Sequence, residues 1–216
     1  MLDVVVLGAG GHGQVVADVL RAMQHDRGSV RPVAFVDDDA SLVGMNVTGL
    51  PVASSLDDLR NRDIAVALGV GNNRQRSRLG ESASADGVRV IAAVHPRAYI
   101  APGVRLGRGI AVCAGVVVNI GAVVHDWAIL NTSCSVDHHC TIGTSAHIAP
   151  GAHLGGTVTV GAGALVGVGC SVSPGCSIGD WAVVGVGSAV VSDLGPNGCY
   201  SGVPARAHVQ GGEVSS

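Results

Sequence analysis

Residues 124–160 read VHDWAILNTSCSVDHHCTIGTSAHIAPGAHLGGTVTV. Val124, Leu130, Val136, Ile142, Ile148, Leu154 and Val160 stand six residues apart, and the register extends without a break from Ile100 to Val190, sixteen positions in all. An α-helix repeats every 3.6 residues and a strand every two, so neither produces this series. A six-residue period belongs to a hexapeptide β-helix, in which each coil stacks on the one before. The expected form is a left-handed parallel β-helix. Three hexads make one triangular coil there, so the sixteen positions give slightly more than five coils.

The lattice explains most of the cysteines. Cys134, Cys140, Cys170 and Cys176 each fall four places after a repeat aliphatic, a column filled elsewhere by Ala122, Ala128, Ala146, Ala152, Ala164 and Ala182. They read as small apolar packing residues in a reducing compartment.

The first ninety residues follow another grammar. Val4–Leu7, Pro32–Val36, Ile64–Leu68 and Arg89–Val94 read as strands. Gln14–Met23 reads as a helix, with helical patches at 56–60 and 74–84. Alternation of strand, Gly turn and helix implies a small, Rossmann-like parallel sheet. The expected organisation is an α/β domain over 1–95, then the β-helix and a polar tail over 96–216, with an ordered turn at Gly202-Val203-Pro204-Ala205.

Composition removes several classes of function. A formal net charge of −3 offers no footprint for nucleic acid or an anionic membrane, and 2% aromatics leave no stacking platform for bases. The uncharged run 160–179 contains Pro174 and the sixfold repeat, so it reads as coil and not as a membrane span. The apolar start is too short for a signal peptide, and the expected location is the cytoplasm.

Gly8-x-Gly10-x-x-Gly13 lies between a strand and a helix, where free N–H groups and the helix dipole favour an anion. A second mononucleotide half is missing, so the diphosphate of a nucleotide sugar fits better than a dinucleotide. A tight turn without a ligand is the plain alternative. Ligands of open parallel sheets bind at the carboxyl ends of strands. Gly10, Gly11, His12, Asp37, Asp38, Gly71 and Asn72 all follow strands and can converge on one pocket. The Arg74/Arg76 pair reads as a solvated helix face.

The densest polar cluster is Asn131 to Cys140. Asp137, His138 and His139 occupy the wall and corner of one hexad, and Gly156 stands one coil beyond His138. A histidine beside a glycine amide suits acyl transfer: the imidazole takes a proton from the nucleophile, and the N–H supports the oxyanion. His147 lies half a coil from His138, so the two can meet only across a subunit boundary in a cyclic oligomer. His125 and His153 read as corner caps. Three converging histidines would instead make a zinc lyase, but no spacing from His138 is a multiple of eighteen. No metal is expected.

Together these residues resemble the hexapeptide-repeat sugar O/N-acyltransferases. The resemblance rests on Gly-Ala-Gly-Gly-His-Gly at 8–13, Val-Asp-Asp at 36–38, Gly-Asn-Asn at 71–73, His95-Pro96, Asn131-Thr132-Ser133, Asp137-His138 and Gly202-Val203-Pro204-Ala205. The chain is most similar to the acetyl-CoA-dependent N-acetyltransferases of nucleotide-linked amino sugars, of the bacillosamine and perosamine type. Sialic acid O-acetyltransferases are relatives and give the alternative acceptor, a hydroxyl. A non-catalytic nucleotide-sugar binder is the remaining rival.

The resemblance implies that His138 is the general base, that the glycine-loop residues and Asp37/Asp38 hold uridine diphosphate, and that Asn131 lines the acceptor site. It implies that His147, Gly156, Val168 and Val186 contact acetyl-CoA, and that the active sites lie between the subunits of a homotrimer. Where the family carries Asp or Glu after the base, this chain carries His139. A carboxylate there favours imidazolium through its charge; a second histidine lacks that charge, and Asp137 is the nearest substitute.

Overall fold

The structure is a computed structural model describing residues 1–59 and 64–208. Its first part is a five-stranded sheet in the order β3-β4-β2-β1-β5. The strands are β1 (Leu2–Leu7), β2 (Val30–Val36), β3 (Asn46–Val47), β4 (Leu50–Ala53) and β5 (Ile64–Leu68). All pair in parallel except β3, which forms a hairpin with β4. That hairpin has no counterpart in the sequence reading. It turns at Thr48 and Gly49, both with positive φ, as a two-residue hairpin of this twist requires. Helix α1 (Gly11–Arg27) buries Val16, Ala17, Val19 and Leu20, the i, i+3, i+4 stripe of an amphipathic helix. Gly28, in the left-handed conformation, ends it. A short 3-10 turn (Leu56–Leu59) stands where the first helical patch was expected, and Arg60 lies outside the described residues. The second patch is helix α2 (Asn73–Ala85).

The second part is a left-handed parallel β-helix. Two-residue strands recur every six residues from Tyr99–Ile100 to Ala189–Val190, and those up to Ser171–Val172 pair with the strand eighteen residues on. Three walls result. The first carries β6 (Ala93–Val94) and the strands that begin at Ala111, Ile129, His147, Leu165 and Val183. The second begins at Tyr99 and the third at Arg105. Each repeat aliphatic is the second residue of its strand, and from Val112 to Val190 all are buried. Cys134, Cys140, Cys170 and Cys176 are buried free thiols in the same core. Burial pushes the Cys134 thiol up to about 12 and raises the other three. These cysteines are packing groups, as the lattice requires.

The expected strand 89–94 is divided between the two parts. Val90 bridges to Val66 of β5, while β6 already pairs with the strand at Ala111–Val112. The tail is more regular than expected: Cys199–Ser201 continues the first wall beside Val183–Val184, and Arg206–Ala207 folds back on it beyond the 202–205 turn.

The α/β part sits on the outer face of the first wall. Ala93, Ala111 and Ile129 share one core with Val16, Val19 and Leu20 of α1. Helix α2 lies against the corner where the third wall meets the first. A side chain on Gly80 would come within 2.7 Å of the Trp127 ring, so only glycine allows this approach. Arg76 corrects the expectation of a solvated face, whereas Arg74 is exposed as expected. The Arg74 guanidinium stacks on Trp181, 4.3 Å from the ring centroid. Arg76 is 1% exposed and donates to the carbonyls of Trp127 (2.7 Å), Ser145 (2.7 Å), Val70 (3.1 Å) and Gly71 (3.0 Å), and to Asn73 Oδ1 (2.9 Å). Only a planar five-donor group fills this set.

Replacing Arg76 by Lys keeps the charge and strands buried carbonyls. It should cost about 2–3 kcal/mol. For a chain of this size that lowers the thermal midpoint by roughly 5–10 °C, readable by circular dichroism.

Candidate active site

Two centres emerge, on different sides of the prism. The first is a cavity of about 760 Å³ at the carboxyl ends of β1, β2 and β5, lined by Gly8, Gly10, Gly11, His12, Asp37, Asp38, Gly71 and Asn72 among others. All seven pocket residues expected from the sequence are therefore together. Gly10 and Gly11 face open space, whereas a side chain on Gly13 would collide with the Gly8 carbonyl. The loop is thus tight where α1 meets β1 and bare where a ligand would lie. No side chain caps α1, and its first turn carries no acid, leaving its N–H groups for an anion.

Asp37 and Asn72 have structural duties as well. Asp37 Oδ2 accepts the Ala9 N–H at 2.6 Å and Oδ1 accepts the Asp39 N–H at 3.0 Å, which fixes the glycine loop. Asn72 Oδ1 caps α2 by accepting the Gln75 N–H at 3.0 Å.

His12 connects this pocket to the first wall. Its ring centroid is 6.3 Å from that of His147, and Asn131 Nδ2 stands 3.1 Å from His147 Nε2. The Asn131 oxygen is occupied by the Thr132 N–H, so Nδ2 donates and His147 carries its proton on Nδ1. Burial, and secondly the Arg76 charge, hold His12 down at about 4. The same two causes, with His12 third, hold His147 down at about 3. Both rings are neutral near pH 7, and among the described residues His12 Nε2 is buried without a partner.

The second centre is the corner between the second and third walls. His138 and His139 are exposed there, with Nδ1 atoms 3.1 Å apart. Asp137 Oδ1 accepts from the His138 amide and from Asn119 Nδ2, both at 2.8 Å. These bonds, that of Asn119 foremost, hold the Asp137 carboxyl below the usual carboxylate range. Asp137 thus grips the backbone of His138 and not its ring. A methyl group on Gly156 would collide with Cε1 and Nε2 of His138. Among the described residues no backbone carbonyl accepts the Gly156 N–H.

Val168 and Val186 are exposed one coil apart at the corner between the first and second walls; the Val168 carbonyl accepts from Gly187. His153 Nδ1 meets Ser135 Oγ at 2.8 Å, one coil below. Among the described residues no group of three His, Cys, Asp or Glu side chains could hold a metal ion, and no helix is long and apolar enough to cross a membrane.

The comparisons place the chain in a family. Residues 3–83 match the PglD N-terminal domain model. The acetyltransferase domain of PglB from Neisseria gonorrhoeae FA1090 has a TM-score of 0.88 at 32% identity, over 96% of this chain and 100% of its own. The chain belongs to the hexapeptide-repeat sugar N-acetyltransferases. Perosamine N-acetyltransferase from Caulobacter crescentus is similar to this family member at 39% identity and a TM-score of 0.89, over 96% of this chain and 97% of its own. That structure is an asparagine-for-histidine variant in complex with CoA and GDP-perosamine. WeeI from Acinetobacter baumannii AYE has 26% identity and a TM-score of 0.86, over 96% and 100%. No curated sequence matches this acetyltransferase-family chain.

Sequence reasoning missed Gln75, Arg78 and Leu79, which line the pocket from α2. The signal was present: with Asn72 they recur at three- and four-residue spacing along a predicted helix that opens at a pocket loop.

The half-buried, neutral His12 and His147 have a stability consequence. Their folded values lie below the ordinary 6.5, so below that pH the unfolded chain binds the extra protons and stability falls as pH falls. Each histidine contributes a slope of about 1.4 kcal/mol per pH unit over its window. Urea unfolding should lose roughly 2–3 kcal/mol from this pair between pH 7.5 and 5.5, and His147→Gln should remove about half of that loss.

Proposed function

We propose that the protein transfers the acetyl group of acetyl-CoA to the amino group of a nucleotide-linked deoxyamino sugar. The single observation that carries this reading is the pairing of His138 with Gly156, beside family membership. An imidazole packed on a bare glycine offers a proton acceptor and an N–H donor to the same reacting carbonyl. The amine attacks the thioester carbon and the C–N bond forms. His138 Nε2 takes the ammonium proton, the Gly156 N–H supports the oxyanion, and the C–S bond breaks to release CoA thiolate.

The glycine-loop pocket would hold the nucleoside diphosphate. Its phosphates would lie on the N-terminus of α1, with Asp37 and Asp38 toward the sugar alcohols of the nucleoside and Arg78 as a cation for the diphosphate. Uridine diphosphate, and the guanosine diphosphate found with the Caulobacter relative, are the two handles to compare. Asn131 would face the acceptor sugar, while His147, Val168 and Val186 would lie along acetyl-CoA.

One chain keeps these parts apart. The pocket and His12 lie in the α/β part beside His147 of the first wall, and His138 stands at the opposite corner. A homotrimer that packs the corner of one prism against the first wall of the next would unite them, with three active sites between subunits. We place the reaction in the cytoplasm, where acetyl-CoA is supplied and buried thiols stay reduced.

Thiol release on mixing acetyl-CoA with UDP- and GDP-linked amino sugars tests the activity. His138→Ala should lower kcat by about 10² or more, and near-wild-type turnover would remove the proposed base. Gly156→Ala should cost a similar factor while the melting curve stays close to wild type, since the three atoms nearest the added methyl all belong to the His138 ring. Arg78→Ala should instead raise KM for the nucleotide sugar about tenfold and leave kcat nearly unchanged.

A further inference from the structure

The corner that carries His138 contains a second imidazole whose placement the acetyl-transfer reading does not use. His139 sits in the left-handed region, φ 59°, a conformation costly for most side chains. Its backbone is fixed there by donation of its N–H to the Ile120 carbonyl at 3.0 Å. Its ring lies over Gly121 of the preceding coil, where a Cβ would come within 2.6 Å of Cδ2. The rings of His138 and His139 meet edge to face, with centroids 5.3 Å apart and planes at 76°. The consequence is a direct contact between two nitrogens, Nδ1 to Nδ1, at 3.1 Å.

Only one hydrogen fits between them. Two facing N–H groups would repel, and two facing lone pairs would make no bond. The direction of that hydrogen decides what His138 can do at its other nitrogen. If His138 donates from Nδ1, its Nε2 carries the lone pair, and Nε2 is the atom that faces Gly156. If His139 donates, neutral His138 carries its hydrogen on Nε2 and cannot accept a proton there.

We propose that His138 and His139 form a dyad in which His139 Nδ1 accepts the His138 Nδ1–H, making His139 the positioning residue that keeps the His138 Nε2 lone pair on the acetyl-transfer site. This rests on the reading of His138 as the base. In the reaction His138 Nε2 takes the proton that the attacking amine loses, and the Nδ1–H···Nδ1 bond becomes charge-assisted. His138 then passes the Nε2 proton to the sulfur of the departing CoA thiolate and returns to its starting tautomer. Atoms balance as amine and thioester giving amide and thiol, and His139 exchanges no proton. The other ionised group at this corner, Asp137, is engaged with the His138 amide and Asn119. It does not compete for the ring nitrogen.

Three variants of the full-length protein separate the roles of His139. His139→Phe keeps a ring over Gly121 and removes the acceptor. His139→Ala removes both. His139→Asn places an oxygen where Nδ1 was and tolerates the left-handed backbone. With ¹⁵N-labelled histidine, the side-chain NMR spectrum should show His138 as the Nδ1–H tautomer in the wild type and in His139→Asn. His139→Phe should lose it; this readout needs no acceptor sugar. In thiol-release assays His139→Phe and His139→Ala should lower kcat about tenfold or more with both KM values unchanged, and His139→Asn should stay within about threefold of wild type. An unchanged His138 tautomer in His139→Phe, or a kcat for that variant within twofold of wild type, overturns the dyad. The His138→Ala control keeps the two failures distinct. Retained turnover there removes the base itself, whereas an inactive control beside an unaffected His139→Phe removes only the dyad.

Discussion

The buried guanidinium of Arg76 is the joint on which the arrangement depends. It takes five acceptors, four of them backbone carbonyls, two from the loop that lines the pocket and two from corners of the β-helix. No carboxylate is among them, so the charge is satisfied by dipoles alone. A buried cation of this kind is costly to strip of any one partner. The pocket loop and the coil are therefore fixed to each other, and an error in either leaves polar groups unpaired. Arg76 also acts at a distance, since its charge adds to burial in keeping His12 and His147 unprotonated.

The β-helix supplies the complementary constraint. Eighteen residues return the chain to the same wall, so stacked neighbours are set by arithmetic. Asn119 and Asp137, and Ser135 and His153, each differ by one coil and do meet. The α/β part covers the first wall of the prism and, through α2, the corner where the third wall meets it. That asymmetry leaves the His138 corner exposed and the first wall occupied.

Much of this was legible in the sequence because the period is a backbone property. The sixfold series named the walls, the buried aliphatics and the small-residue column that holds four cysteines. The glycine loop was legible as a tight strand-to-helix turn of bare backbone, and Gly10 and Gly11 proved open while Gly13 proved tight. Arg76 was not legible. Arginine on a polar helix reads as solvated, and its partners are backbone carbonyls that leave no trace in residue identity. The Gly80–Trp127 contact was hidden for the same reason: a glycine inside a helix signals a close approach without saying to what. The β3–β4 hairpin lacked the Asn-Gly or Asp-Gly pair that marks such turns, with Thr48 taking the first place.

The four histidines that matter divide by environment. His12 and His147 share the interior beside Arg76, where a cation and the loss of water both oppose protonation. They can donate and accept hydrogen bonds, and His147 accepts one from Asn131, but they are poor destinations for a proton. His138 and His139 stand in solvent at a corner with an ionised Asp137 beside them and no guanidinium among their bonds. If a neighbouring subunit brings the two pairs together, proton transfer is directed to His138 by exclusion as well as by proximity. The imidazoles on the pocket side would then orient the substrate without diverting its proton, because the same buried charge that joins the two halves of the chain keeps them neutral.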